Sequence, residues 1–68
     1  MKMNKIKFNK GIYSEETVRK TIKVYKDLAL ITANFQEDYI IVTFWKCKYN
    51  QMQTIHEFEN YMIGIENS

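Results

Sequence analysis

The chain of 68 residues contains no proline, two glycines, one cysteine and one histidine, and its ten lysines and arginines are nearly balanced by eight acids. These shortages remove several classes of function. Cys47 has no second thiol for an internal disulfide, which favours a reducing compartment, the cytoplasm. Gly11 and Gly64 stand too far apart to build a glycine-rich phosphate loop. His56 has no partner at metal-ligand spacing, because Glu57 is its immediate neighbour rather than one helical turn away. A membrane span needs ~18 consecutive apolar residues, and no stretch approaches that. The opening MKMNKIKFNK alternates where a signal peptide would run apolar. The formal net charge of +2 is too small to demand a polyanionic partner, although four lysines make the first ten residues locally basic.

What is present describes a folded domain. With 46% hydrophobic and 15% aromatic residues, the chain has the material for a core and does not read as disordered. A chain of this length makes one domain. It buries only about 60% of its unfolded surface, so a stability of roughly 3–5 kcal/mol is expected.

The hydrophobic spacing changes along the chain. MNKIKFNK alternates, with Ile6 and Phe8 on one face and Lys5 and Lys7 on the other, as in a half-buried strand ended by Gly11. In IYSEETVRKTIKVYKDLA, Ser14 is placed as a helix N-cap, followed by Glu15 and Glu16 in the first turn. Tyr13 and Val18 suit a hydrophobic staple. Val18, Ile22, Tyr25 and Ala29 form one apolar stripe, with Leu28 beside it. Glu15 with Arg19, and Glu16 with Lys20, are favourable i,i+4 pairs. Arg19, Lys20, Lys23 and Lys26 lie off the stripe as a basic face.

LITANFQ and YIIVTFWKCK flank Glu37 and Asp38 and read as a hairpin. A two-residue loop pairs Phe35 with Ile40, Ala33 with Val42 and Ile31 with Phe44, all on one face. The pair is not the Asn-Gly or Asp-Gly of a tight turn, so a loop of three or four residues is an open alternative. The opposite face then carries Thr32, Thr43, Tyr39, Ile41, Trp45 and Cys47. In NQMQTIHEFENYMIGI, Asn50 and Gln53 suggest a capping box. Ile55, Phe58, Met62 and Ile65 make the stripe, with Met52 and Tyr61 near it. Gly64 is placed to end the helix in a left-handed conformation, with Ile65 folding back over the last turn. The order β-α-β-β-α predicts an α+β fold, a two-layer sandwich with both helices on one face of a three-stranded sheet.

Catalysis finds little support in these residues. Lys46 and Lys48 could lower the Cys47 thiol pKa modestly, but His56, the nearest candidate base, lies on another element. Glu15 with Glu16, and Glu57 with Glu59, occupy helix starts or exposed faces. Tyr39, Ile41 and Trp45 on an uncovered sheet face form an apolar patch, the usual mark of a protein contact, with their strand propensity alone as the alternative account. The lysines with Tyr39 and Trp45 also suit RNA, but the charge balance and the lack of an RNP-like motif weigh against nucleic acid.

FNKGIYSEETVRKTI, the hairpin with YIIVTF and the ending HEFENYMIGI together resemble the HxsD-like proteins, the small accessory proteins named after the His-Xaa-Ser peptide-modification system. The resemblance runs from about Ile6 to Ile65. Its most specific pieces are Tyr13-Ser14 and the run from Phe58 through Asn60 and Tyr61 to Gly64. The ending GIENS departs from the charged C-terminus of the founding members. The resemblance implies a non-catalytic adaptor, without cofactor or metal, working beside a radical S-adenosylmethionine (SAM) maturase and its ribosomally made precursor peptide. Iron–sulfur chemistry would belong to that partner, since one cysteine cannot hold a cluster. The expected contact residues are Tyr39, Ile41 and Trp45, with Arg19, Lys20 and Lys23 steering an acidic partner. A homodimer is left open.

Overall fold

The computed structural model describes residues 4–67. Its elements follow the expected order: β1 (Asn4–Asn9), α1 (Glu15–Val24), β2 (Ala29–Phe35), β3 (Tyr39–Cys47) and α2 (Gln51–Glu66). The sheet order is β1-β3-β2, and both outer strands are antiparallel to β3. β1 and β2 therefore run parallel to each other with β3 between them, a split β-α-β arrangement. Phe8, Ile31, Ile40, Val42 and Phe44 from the sheet meet Val18, Tyr25, Ile55, Phe58 and Met62 from the helices in one core. Both helices thus cover the same face, as the sequence predicts.

The hairpin adopts the two-residue register. Phe35 opposes Ile40, Ala33 opposes Val42 and Ile31 opposes Phe44. Gln36 N–H donates to the Tyr39 carbonyl at 2.9 Å, closing the turn around Glu37 and Asp38. No described residue has a positive φ, so this turn does not need the glycine of the tightest hairpins. Further along, Leu30 opposes Lys46 while Ile31 opposes Phe44, which leaves Trp45 as one extra residue on β3. This bulge shifts the alternation by one position. Cys47, expected on the outer face, is consequently buried in the core opposite Ala29.

α1 starts as read, with Ser14 Oγ accepting from Thr17 N–H at 3.1 Å. Glu15 pairs with Arg19 at 3.5 Å and Glu16 with Lys20 at 3.8 Å. The helix is shorter than the apolar stripe predicts. The Tyr25 carbonyl accepts from Leu28 and Ala29 N–H groups, turning the chain so that Ala29 opens β2 instead of closing α1. The period-two run of Ala29, Ile31, Ala33 and Phe35 binds Ala29 to the sheet. The buried stripe of α1 is Thr17, Val18, Thr21 and Tyr25, whereas Ile22 is half-buried. Thr21 Oγ1 donates to the Thr17 carbonyl at 2.7 Å, which satisfies its hydroxyl inside the core.

α2 is anchored by Phe58, whose ring meets Phe44 edge-on at 5.1 Å and Tyr25 at 5.7 Å. Asn50 Oδ1 accepts from Gln53 N–H at 3.0 Å, but Gln53 sends its amide to Glu57 at 3.2 Å instead of completing the box. The expected termination at Gly64 is not observed. α2 continues through Gly64, which has no positive φ, and is capped by Asn67, whose N–H donates to the Ile63 carbonyl at 3.1 Å. The extra turn has a partner. Glu66 Oε2 accepts from Ser14 N–H at 3.3 Å and from Thr17 Oγ1 at 2.9 Å, so the end of α2 places a carboxylate on the positive N-terminus of α1. That contact gives α2 a reason to outrun its glycine.

Candidate interaction surfaces

Two separate surfaces emerge from this frame. On the sheet face away from the helices, β3 presents Tyr39, Ile41, Thr43 and Trp45. The pairing sets Lys5, Lys7 and Asn9 of β1 against Thr43, Ile41 and Tyr39. On the other side Thr32 and Asn34 of β2 oppose Thr43 and Ile41, with Leu30 near the bulge. Trp45 is 47% exposed and Leu30 61%, so large apolar side chains face solvent on this side of the sheet. Trp45 Nε1 donates to Thr32 Oγ1 at 2.8 Å, which ties the indole to the neighbouring strand. Lys7 Nζ stands 4.1 Å from the centre of the Tyr39 ring. Ile41 is half-buried and Thr43 buried beneath these larger groups.

The second surface lies in the helix layer. Arg19, Lys20 and Lys23 project from α1, on the opposite side of the sheet from Trp45. The six residues singled out in the sequence therefore form two sites. The Arg19 guanidinium covers the Phe35 ring at 4.3 Å. Between α1 and β2 runs an open groove of about 360 Å³ lined by Arg19, Ile22, Ile31, Thr32, Ala33 and Phe35. A smaller hollow of about 260 Å³ lies where Tyr25 and Leu28 approach Tyr49 and Glu57. Burial raises the Tyr25 pKa, and the Glu57 carboxylate adds to that effect.

Cys47 behaves as a core residue. Burial pushes its thiol pKa up, only partly offset by a hydrogen bond with Thr54, so the expected lowering by Lys46 and Lys48 is overturned. His56 is exposed on α2. Among the described residues, no group of three His, Cys, Asp or Glu side chains is placed to hold a metal, and no helix is long and apolar enough to cross a membrane.

Sequence reasoning missed two participants, Leu30 and Glu66, and grouped the lysines of the first strand with Tyr39 and Trp45 without the pairing that joins them. Lys5 and Lys7 join the aromatic face only because β1 pairs with β3, a topological fact that strand alternation does not contain. Leu30 could have been found, since the hairpin register already placed its neighbour Ile31 in the core. Glu66 carries no local signal, because its partners are 49 and 52 residues away.

The fold and these surfaces define a small α+β sandwich with one sheet face left open. No family model matches the sequence, and neither a curated protein nor a solved structure matches it.

Proposed function

We propose that this chain is a non-catalytic accessory protein of a ribosomal-peptide modification system, binding a radical SAM maturase, its precursor peptide, or both. The observation that carries this reading is the open sheet face, on which Trp45, Tyr39 and Leu30 are exposed together. An apolar patch of this kind on so small a domain marks a protein contact. The resemblance to the HxsD-like proteins supplies the setting. Calorimetry with the co-encoded maturase and precursor peptide tests it. Trp45→Ala should weaken association by at least about 1 kcal/mol, and unchanged affinity in a folded variant altered at both Ile41 and Trp45 removes the sheet face from the proposal.

One observation favours a second reading. Lys5 and Lys7 stand beside Tyr39 and Trp45 on the same face, the combination of charge and stacking surface that single-stranded RNA uses. Under that reading a labelled oligouridine binds with steep salt dependence, and Lys7→Ala reduces the slope. Weak binding insensitive to salt rejects it.

A further inference from the structure

The two edges of the sheet differ in a way that the open face does not explain. Gln36 and Tyr39 form a hydrogen-bonded pair closing the hairpin, and such pairs alternate along an antiparallel ladder. Asn34 and Thr32 therefore bond to β3, while the main-chain groups of Ile31, Ala33 and Phe35 point outward from β2. Lys10 N–H donates to the Asp38 carbonyl on the other side of the hairpin. The same alternation turns the main-chain groups of Lys5, Lys7 and Asn9 outward from β1.

Natural sheets protect exposed edges with charge, lysine above all. β1 follows that rule with Lys5 and Lys7. β2 does not: ALITANF contains no charged residue, no proline and no glycine, and among the described residues no strand pairs with its outer edge. This unprotected edge borders the apolar groove beneath α1. The groove's rim carries a net positive charge. Arg19 lines it, Glu15 one turn earlier is shared between Arg19 at 3.5 Å and Lys10 at 3.0 Å, and Lys23 follows one helical turn later on the same face.

We propose that the free edge of β2 and the groove beside it dock an extended peptide that presents apolar and acidic side chains alternately toward the helix layer. The proposal rests on the peptide-binding half of the function proposed above. Main-chain hydrogen bonds to Ile31, Ala33 and Phe35 hold the added strand, as in other cases of strand addition. Its helix-facing side chains recur every second residue. An apolar one enters the groove between Ile22 and Ala33, and an acid two positions away meets the guanidinium of Arg19. The charge pattern selects this occupant over a second copy of the chain: Glu15 is already held between Lys10 and Arg19, so pairing two β2 edges would bring a net positive α1 face from each copy to one seam.

The probe is a fluorescein-labelled decapeptide with threonine at every second position and isoleucine and glutamate alternating between them; a twin carries lysine for glutamate. Anisotropy with the full-length protein should show the glutamate peptide binding about tenfold tighter than its twin. Arg19→Glu should reverse that preference. Ala33→Pro removes an outward N–H that β3 does not use, a change edge strands accept, and should weaken binding about tenfold while the circular dichroism spectrum stays native. Amide shifts should concentrate at Ile31, Ala33 and Phe35. Equal binding of the two peptides, an unaffected Arg19→Glu variant, shifts confined to the Tyr39 and Trp45 face, or sedimentation as a dimer joined through β2 each overturn the proposal. The two readings fail separately. If the precursor peptide binds but titrates the Trp45 face, the edge is wrong and the accessory function stands. If the decapeptide binds the edge while maturase and precursor peptide bind nowhere, the edge stands and the function falls.

Discussion

Gly64→Ala offers a test whose sign depends on where α2 ends. The glycine sits three residues inside the cap at Asn67, with helical backbone, and a Cβ built on it meets nothing within 4 Å. Alanine there should impose no clash. It should narrow the unfolded ensemble and raise helix propensity, together worth about 0.5–1 kcal/mol. For a domain of 60–100 residues, 1 kcal/mol shifts the midpoint by roughly 4–8 °C, so Tm should rise by several degrees. Had the helix stopped at Gly64 in a left-handed conformation, alanine would be strained and Tm would fall. Thermal and urea unfolding followed at 222 nm, with the m-value checked for constancy, decides between them. An unchanged or lowered Tm would refute the continuous helix.

Other perturbations probe the core and its ties. Phe58→Ala removes a fully buried ring in edge contact with Phe44, a loss of about 3–5 kcal/mol that equals the expected stability of the domain, so a native dichroism spectrum at 25 °C would contradict the packing. Ile22→Ala should cost less, about 1–2 kcal/mol, because Ile22 is only half-buried, and a urea midpoint lowered as far as that of Phe58→Ala would show the stripe misassigned. Glu66→Ala deprives Ser14 N–H and Thr17 Oγ1 of their acceptor and should lower stability by about 0.5–1.5 kcal/mol; indifference would mean the two helix ends are not coupled. Cys47 ionises in the unfolded chain before it does in the folded one, since burial raises the folded pKa. Stability contributed by the protonated thiol is complete below the ordinary value of 9.0 and lost as pH climbs past it toward the folded pKa. Alkaline urea titrations should therefore show a decline that is shallower in Cys47→Ala, and equal slopes would place the thiol in solvent. Tyr25 adds a loss of the same sign at higher pH, so the variant still declines.

The sequence by itself determined what nearest neighbours decide. Ser14 and Asn50 as N-caps, the i,i+4 pairs of α1, the stripe of Ile55, Phe58 and Met62, and the hairpin register all follow from contacts a few residues apart or from strict alternation. The order of elements and the single helix-covered face followed from those. Competition between distant segments decided the rest. Ala29 fits both the helical stripe and the strand alternation, and only the presence of β3 beside it chose the strand. Cys47 lies on the outer face by counting, but the bulge at Trp45 reverses the count, and a bulge is a property of two paired strands. Gly64 is a plausible helix stop in isolation. The helix passes it because Glu66 finds the N-terminus of α1, a partner that exists only once the two helices lie antiparallel. The open face with its lysines and the unprotected edge of β2 both come from the strand order β1-β3-β2. No local pattern encodes that order, because it depends on which strands find each other across the whole chain.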